Sequence, residues 1–246
     1  MDKSIYVAMT GANQALNATA IHANNLANIG TTGFRADYAQ ARAMPVISNQ
    51  LATRVFAMTE RAGTNQASGV LEETGRDLDL AVAGEGWIAV LATDGSEAYT
   101  RAGDLRLDVS GQLTTGSGLP VMGNGGPIAL PPSETITIAK DGTISVRELG
   151  ASSETLAQVD RVKLVNPEPG QLYKGTDGLM HSRENQGVAA DSEVQVQAGF
   201  LERSNVNSVA ELTDIISLSR QFEMQVKLMQ MAKENSEASA RLLQLS

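Results

Sequence analysis

The sequence contains no cysteine among its 246 residues, and only 4% of the residues are aromatic. Without cysteine there is no disulfide, no thiolate nucleophile and no cysteine-ligated metal. The two histidines, His22 and His181, lie far apart in sequence, and no serine sits in the glycine-flanked elbow of a hydrolase. The acidic residues lack the spacing of a calcium-binding loop. We therefore expect no catalytic site, no cofactor and no metal.

Charge is missing from the N-terminal segment. From Ser4 to Phe34 there is no Asp, Glu, Lys or Arg. Small and apolar residues recur at alternating spacings of four and three, which predicts a helix with a heptad seam. Its Asn and Gln residues make it too polar for a membrane span and too neutral for a solvated helix. We expect it to be surrounded by other protein, with a seam formed by Ile5, Met9, Ala12, Leu16, Thr19, Ala23 and Leu26.

A second long helix is predicted at the C-terminal end of the sequence. Ser208, with Glu211 three residues later, has the pattern of a capping box that starts a helix. We expect the two helices to pair as a coiled coil that orders on assembly, because so small a seam offers little apolar area against the entropy of ordering. A solvated helical hairpin is the alternative. The predicted seam of the second helix contains Leu212, Ile215, Ser219, Phe222, Val226 and Met229.

The middle of the chain has a different pattern. Short apolar runs alternate with turn pairs such as Asp94-Gly95, Asp141-Gly142 and Asp177-Gly178, which is typical of antiparallel β structure. Before it lies a stretch with little period, interpreted as an extended connector with a short helix at 38–44 and a strand at 53–58. The predicted fold class is α+β. Its regions are an N-terminal helix (1–36), an extended connector (37–74), a central, mainly antiparallel β domain (75–203) and a C-terminal helix (204–246).

The net charge of −9 is carried by the middle of the chain. Residues 1–36 hold two basic side chains and one acidic one, and residues 205–246 hold four basic and five acidic ones. Nearly neutral ends suit packing within an assembly, and an acidic middle suits a solvated surface. Nucleic acid, which requires a basic face, is not an expected partner. The first 20 residues lack the basic start and apolar run of a cleaved signal peptide.

Four stretches of the sequence resemble one family. The stretch from Asn24 to Phe34 resembles the N-terminal signature of the bacterial flagellar rod and hook proteins. Residues 74–87 and 99–103 are similar to central elements of that family, with Trp87 in place of its usual phenylalanine, and residues 199–207 resemble its C-terminal signature. The motif positions are Asn24, Asn25, Leu26, Ala27, Asn28, Gly33, Phe34, Ser204, Asn205, Val206 and Asn207.

The resemblance implies a structural subunit of the flagellar rod, assembled helically into a shaft that transmits torque and encloses an export channel. The implied partners are copies of the chain, other rod proteins and the flagellar type III export apparatus. The implied location is the basal body, where the rod crosses the periplasm, with export that leaves no cleaved signal peptide. The length and the residues from Ile5 to Ala12 favour a proximal over a distal rod subunit. The alternative from another class is a secreted β protein with a helical stalk, such as an adhesin.

Several single residues have simpler interpretations. We expect Asp77 and Asp79 to be solvated strand carboxylates, and Trp87 to anchor the β core. Tyr99 and Arg101 suit either a subunit contact or ordinary strand packing. Three methionines of the second helix are expected to fill gaps at helix contacts; they are Met224, Met229 and Met231.

Overall fold

The computed structural model describes residues 4–45, 55–148, 156–168, 170–184 and 186–244. Within these ranges the chain is α+β, with one helix near each end and antiparallel strands between them, which confirms the predicted class. The chain divides into two compact units. The helical unit contains residues 1–28, 36–63 and 206–246, and the β unit contains residues 29–35 and 64–205.

The helical unit is built on the packing of α1 (Ser4–Ala27) against α2 (Ser208–Gln244). At 37 residues, α2 is about 55 Å long. A two-stranded sheet of β1 (Asp37–Pro45) and β2 (Val55–Thr64) belongs with them. The short helix expected at 38–44 is therefore wrong, and paired strands occupy part of the expected connector. Residues 53–54 of the expected strand at 53–58 lie outside the described residues. Coiled-coil geometry for the helix pair stays a prediction.

The cap of α2 differs from the expected capping box. Asn207 is the cap, because its side-chain Oδ1 accepts from the amides of Val209 and Ala210 at 3.1 and 3.2 Å. Ser208 is the first helical residue. The Glu211 side chain is thus available for contacts with α1. No helix in the described part of the chain is both long and apolar enough to span a membrane.

The β unit holds fourteen strands among the described residues, and the strand pairs that join them are antiparallel. The first seven are β3 (Leu71–Glu73), β4 (Leu80–Ala83), β5 (Trp87–Leu91), β6 (Glu97–Thr100), β7 (Arg106–Leu107), β8 (Leu113–Thr114) and β9 (Ser133–Ile138). The others are β10 (Thr143–Glu148), β11 (Ala157–Arg161), β12 (Leu164–Val165), β13 (Leu172–Lys174), β14 (Met180–Ser182), β15 (Gln195–Ala198) and β16 (Phe200–Glu202).

The largest described sheet has five strands in the order β12-β5-β6-β14-β13. Its centre is the hairpin of β5 and β6, joined through the expected Asp94-Gly95 turn, with Ala89 opposite Tyr99. A three-stranded sheet has the order β11-β10-β9, and two-stranded pairs join β15 to β4, β16 to β3 and β7 to β8. The last strands of the unit thus pair with its first strands, so β16 lies beside β3 although the two are far apart in sequence.

The β unit has a core of large side chains. The apolar strand β5 supplies Ile88 and Val90, both fully buried, and the facing elements supply Leu80, Leu105 and Ile144. Burying each such side chain stabilises the fold by roughly 1.5–3 kcal/mol relative to leaving it in water. A second buried cluster forms around Trp87 with Tyr99 and Met180, which confirms Trp87 as a core residue.

Candidate assembly surface and buried ion cluster

Small residues form the inward face of α1. Ala8, Ala12, Ala15 and Ala18 are buried at spacings of four and three, as a single helix face requires. A Cβ added to Gly11 of α1 would lie 3.0 Å from the Gln225 side chain of α2, so the helices approach closely there. The uncharged segment therefore packs through its alanines rather than through its larger apolar residues.

The predicted α1 seam residues are distributed over several faces of the helix. Ala12 is buried, and Ile5 and Leu26 are partly buried. Leu16 is 50% exposed and Met9 is 45% exposed, while Ala23 is also exposed. The heptad spacing is present, but the face that meets α2 is offset from the one chosen by side-chain size. A contact of the outward residues with other subunits stays a prediction.

On α2 most predicted seam residues do turn inward. Ile215, Phe222, Val226 and Met229 are partly buried, whereas Leu212 is 48% exposed. Met224 and Met231 are exposed, so they do not fill gaps within this chain. The two helices together present a set of large exposed apolar side chains, which we call the outward apolar set. It consists of Met9 and Leu16 on α1 and Leu212, Ile216, Met224, Leu228 and Met231 on α2.

A polar network fixes the end of α1 within the helical unit. The His22 ring Nδ1 lies 2.5 Å from Oε2 of Glu211. Asn25 is buried, and its amide donates to the other Glu211 oxygen at 3.1 Å and to the Asp37 carbonyl at 2.9 Å. The Asp37 amide donates back to Asn25 Oδ1 at 2.9 Å. The motif residue Asn25 thus joins both helices and the start of β1.

A buried ion cluster lies in the β unit, where three of the family-like stretches meet. Arg35, Arg101 and Glu202 are each at most 3% exposed. Glu202 Oε1 lies 2.7 Å from Arg35 Nη1 and accepts from the Gly69 amide at 2.6 Å. Its Oε2 accepts from Arg101 Nη1 at 2.9 Å. One carboxylate therefore balances two guanidinium groups away from water.

Aromatic rings and carbonyls complete the surroundings of these cations. The Arg35 and Arg101 guanidinium carbons lie 5.6 and 5.3 Å from the centroid of the Trp87 ring, within the range of a cation–π contact. Arg101 Nη2 donates to the Gly84 carbonyl at 2.8 Å. Burial lowers the pKa of Arg101 from its ordinary value, Glu202 opposes that shift, and the neighbouring Arg35 adds to it.

The remaining motif residues have structural places of their own. The Lys174 ammonium lies 4.0 Å from the centroid of the Phe34 ring, and Asn205 donates its side-chain amide to the Asn65 and Ala67 carbonyls. Asn28 donates to the Asn24 carbonyl at 2.9 Å, at the end of α1. Ala27 is exposed, and Ser204 and Val206 are partly buried.

Other sequence interpretations need correction. Asp79 is buried rather than solvated, because it is paired with Arg76 and accepts from the Thr74 hydroxyl at 2.6 Å. Tyr99 and Arg101 are buried inside the β unit, so packing explains them and a subunit contact does not. The described residues contain no group of three or more His, Asp or Glu side chains placed to hold a metal ion.

The ion cluster and the inward alanine face were both missed from sequence. Arg35 and Arg101 were visible as isolated charges, but nothing local indicates that Glu202 lies beside them. The sequence offers one indication of the cluster, because all three of its charged residues lie within or next to a family-like stretch. These stretches are Phe34-Arg35, Tyr99–Gly103 and Gly199–Asn207.

A buried β core together with helices that leave large apolar side chains exposed is the pattern expected of a structural protein that assembles. Sequence comparison gives the family. Three family models match the chain. The model described as "Flagella basal body rod protein" matches residues 5–35, and the model described as "Flagellar hook protein FlgE/F/G D1 domain" matches residues 81–146. The model described as "Flagellar basal body rod FlgEFG protein C-terminal" matches residues 197–242. The chain belongs to the flagellar basal-body rod family and is a rod protein of the FlgF type.

Full-length relatives agree with that assignment. The flagellar basal-body rod protein FlgF of Escherichia coli is 43% identical over 252 residues, with 100% of each chain covered. The FlgF protein of Salmonella typhimurium is 42% identical over the same length and coverage. The flagellar basal-body rod protein FlgG of Bacillus subtilis is 30% identical, with 95% of this chain and 96% of the relative covered.

Proposed function

We propose that this chain is a structural subunit of the flagellar proximal rod, assembled helically with copies of itself and other rod proteins. The shaft so formed transmits torque and encloses an export channel. The chain reaches the basal body through the flagellar type III export apparatus, and the rod crosses the periplasm. The chain has no enzymatic role in this function. FlgF relatives that match along the whole chain support a proximal rather than a distal, FlgG-like subunit.

The outward apolar set carries the assembly part of the proposal. Its seven side chains are each at least 45% exposed, and they occur on the two helices that match rod-family descriptions. Burying apolar surface is the main driving force of association, at roughly 25 cal/mol per Å². Head-to-tail contacts whose rotation does not close generate an open helical filament, which suits a shaft. We expect α1 and α2 to lie in the inner layer as a coiled coil.

A charge placed in the outward apolar set tests this function. Leu16→Glu in the chromosomal gene is expected to leave the free subunit folded, because Leu16 is 50% exposed there. In the rod the new carboxylate would be buried without a partner, so rods fail to form and cells lose motility. The matched control Leu16→Met keeps an apolar side chain and should retain swimming. Normal motility of the Leu16→Glu strain would contradict the proposed packing of α1.

Labelling the chain in purified basal bodies tests its location. A rod subunit appears in the rod, and deletion of residues 1–34 abolishes assembly. The adhesin alternative predicts intact basal bodies without the chain and a loss of attachment only.

A further inference from the structure

The segment after α1 is held in the β unit by a few specific contacts. We call residues 29–35 the docking segment. The Gly33 amide donates to the Glu202 carbonyl at 2.7 Å, and the Asn205 amide donates to the Phe34 carbonyl at 3.3 Å. Lys174 Nζ donates to the Arg35 carbonyl at 2.7 Å. Two of these three partners belong to the chain that follows β15, about 170 residues further along the sequence.

The docking segment fits closely as well as making hydrogen bonds. Gly33 has a φ of 66°, which favours glycine, and a Cβ at this position would lie 2.2 Å from the Arg101 carbonyl carbon. The backbone of the docking segment therefore touches the backbone at Arg101. Two backbones this close leave no space for a side chain, so this seating of the segment requires glycine at residue 33.

Burial of the Arg35 side chain depends on Glu202. Arg35 is 2% exposed, and within the described residues its Nε and Nη2 have no hydrogen-bond acceptor. Its charge is balanced by Glu202, which is fully buried and also balances Arg101. Removing one partner of a buried ion pair leaves an uncompensated charge, which is strongly unfavourable. Without the Glu202 carboxylate, two buried cations would face each other beside Trp87.

We propose that Glu202 is a conformational latch, which lets the docking segment seat only when β16 has paired with β3. The register Glu202↔Leu71 puts this carboxylate at the end of the pairing, next to the Gly69 amide that it accepts from. A chain that has not yet supplied residue 202 cannot bury Arg35, so its docking segment stays unseated. The latch couples the ordering of the N-terminal segment to the arrival of the C-terminal segment.

Trypsin cleavage after Arg35 measures seating directly, because cleavage of a buried peptide bond requires local opening. Full-length Glu202→Gln should be cut at Arg35–Ala36 at least tenfold faster than the unmodified chain, as followed by mass spectrometry. Glu72→Gln is the matched control, since Glu72 lies on β3 and pairs at 2.9 Å with Arg203, the residue after β16, but is exposed. It should leave the cleavage rate at Arg35 unchanged.

Hydrogen exchange distinguishes a local effect of Glu202 on the docking segment from a general loss of stability of the β unit. In Glu202→Gln, amides 29–35 should lose protection while amides 80–91 of the β core keep it. Arg35→Met provides a second test, because it removes the buried cation that requires Glu202 and leaves a one-to-one Arg101–Glu202 pair: amides 29–34 should keep their protection in this variant. An unchanged cleavage rate in Glu202→Gln would overturn the latch, as would equal loss of protection at 29–35 and 80–91 in Glu202→Gln or a loss at 29–34 in Arg35→Met.

Discussion

The β unit buries large apolar side chains, whereas α1 of the helical unit buries mostly small ones. In the β unit the largest apolar side chains, such as Ile88 and Leu105, are completely buried. In the helical unit the buried residues of α1 are mostly alanines, and Leu16 remains half exposed. The β unit thus contains a core of its own, whereas the helices leave large apolar side chains exposed. Under the proposed function these side chains contact other subunits, so folding within the chain and assembly between chains would be divided between the two units.

Truncating a core residue of the β unit should have the largest effect on the free chain. Ile88→Ala removes a fully buried side chain and is expected to lower the free energy of unfolding by about 2–5 kcal/mol. Denaturant unfolding followed by fluorescence of Trp87, the one tryptophan of the sequence, reports this unit directly. A loss below ~1 kcal/mol would show that the β unit does not depend on this core.

Alkaline pH should also act on the β unit selectively. Burial raises the pKa of Tyr99 to about 12, and the hydroxyl accepts from the Val188 amide and donates to Glu97. Since the fold favours the neutral phenol, this stabilisation is complete below pH 10 and is lost as the pH rises through about 12. The total is roughly 2–3 kcal/mol, at 1.36 kcal/mol per pKa unit.

Tyr99→Phe should flatten the fall in unfolding free energy between pH 10 and 12, as measured by Trp87 fluorescence. The control Tyr6→Phe, at an exposed position of α1, should keep the curve of the unmodified chain. An equally steep fall in Tyr99→Phe would assign the alkaline sensitivity to another group.

Overpacking the alanine face should weaken the helical unit alone. Ala15→Leu adds three carbons where the side chain is 3% exposed, and is expected to cost about 1–3 kcal/mol in helix packing. Ala20→Leu makes the same change at an exposed position of the same helix and should be nearly neutral. Circular dichroism at 222 nm during thermal unfolding compares the two variants. Equal melting curves would mean that α1 does not pack through Ala15.

Truncating the outward apolar set should have the smallest effect on the free chain. Leu16→Ala is expected to change the free energy of unfolding by less than about 0.5 kcal/mol, as for exposed sites generally. Its effect should appear in the rod instead, as reduced swimming or fewer completed basal bodies. A loss of several kcal/mol in the isolated chain would place Leu16 in an intramolecular core.

The sequence predicted those features that are set by local chemistry. The Asp94-Gly95 turn and the apolar run Trp87–Leu91 gave the central hairpin of the β unit, and the end of α1 before Gly30 followed from turn residues. In the free chain the face of α1 that meets α2 includes the predicted Ala12 together with Ala15, whereas the larger seam residue Leu16 lies outward, and its contacts in an assembly stay a prediction. Period alone does not distinguish these two faces.

Features set by long-range contacts were not predictable in the same way. The pairing of β16 with β3 brings Glu202 to Arg35 and Arg101, which lie 167 and 101 positions earlier in the sequence. A single charge in a strand has no local signature of an ion cluster. The β1–β2 pair lies within the predicted connector, because the alanines of β1 are weak strand formers, although Ala39 to Ala43 alternate with Gln40 and Arg42.

Hydrogen exchange on the free chain and on the assembled rod tests the division between the two units most directly. In dilute free chain, we predict that amides 80–91 of the β core are strongly protected while amides 5–27 of α1 are protected only weakly, because the helix pair is marginally stable there. In the assembled rod both sets should be protected. Strong protection of α1 in the dilute free chain, equal to that of the β core, would contradict the account, because the helices would then be stable without their neighbours.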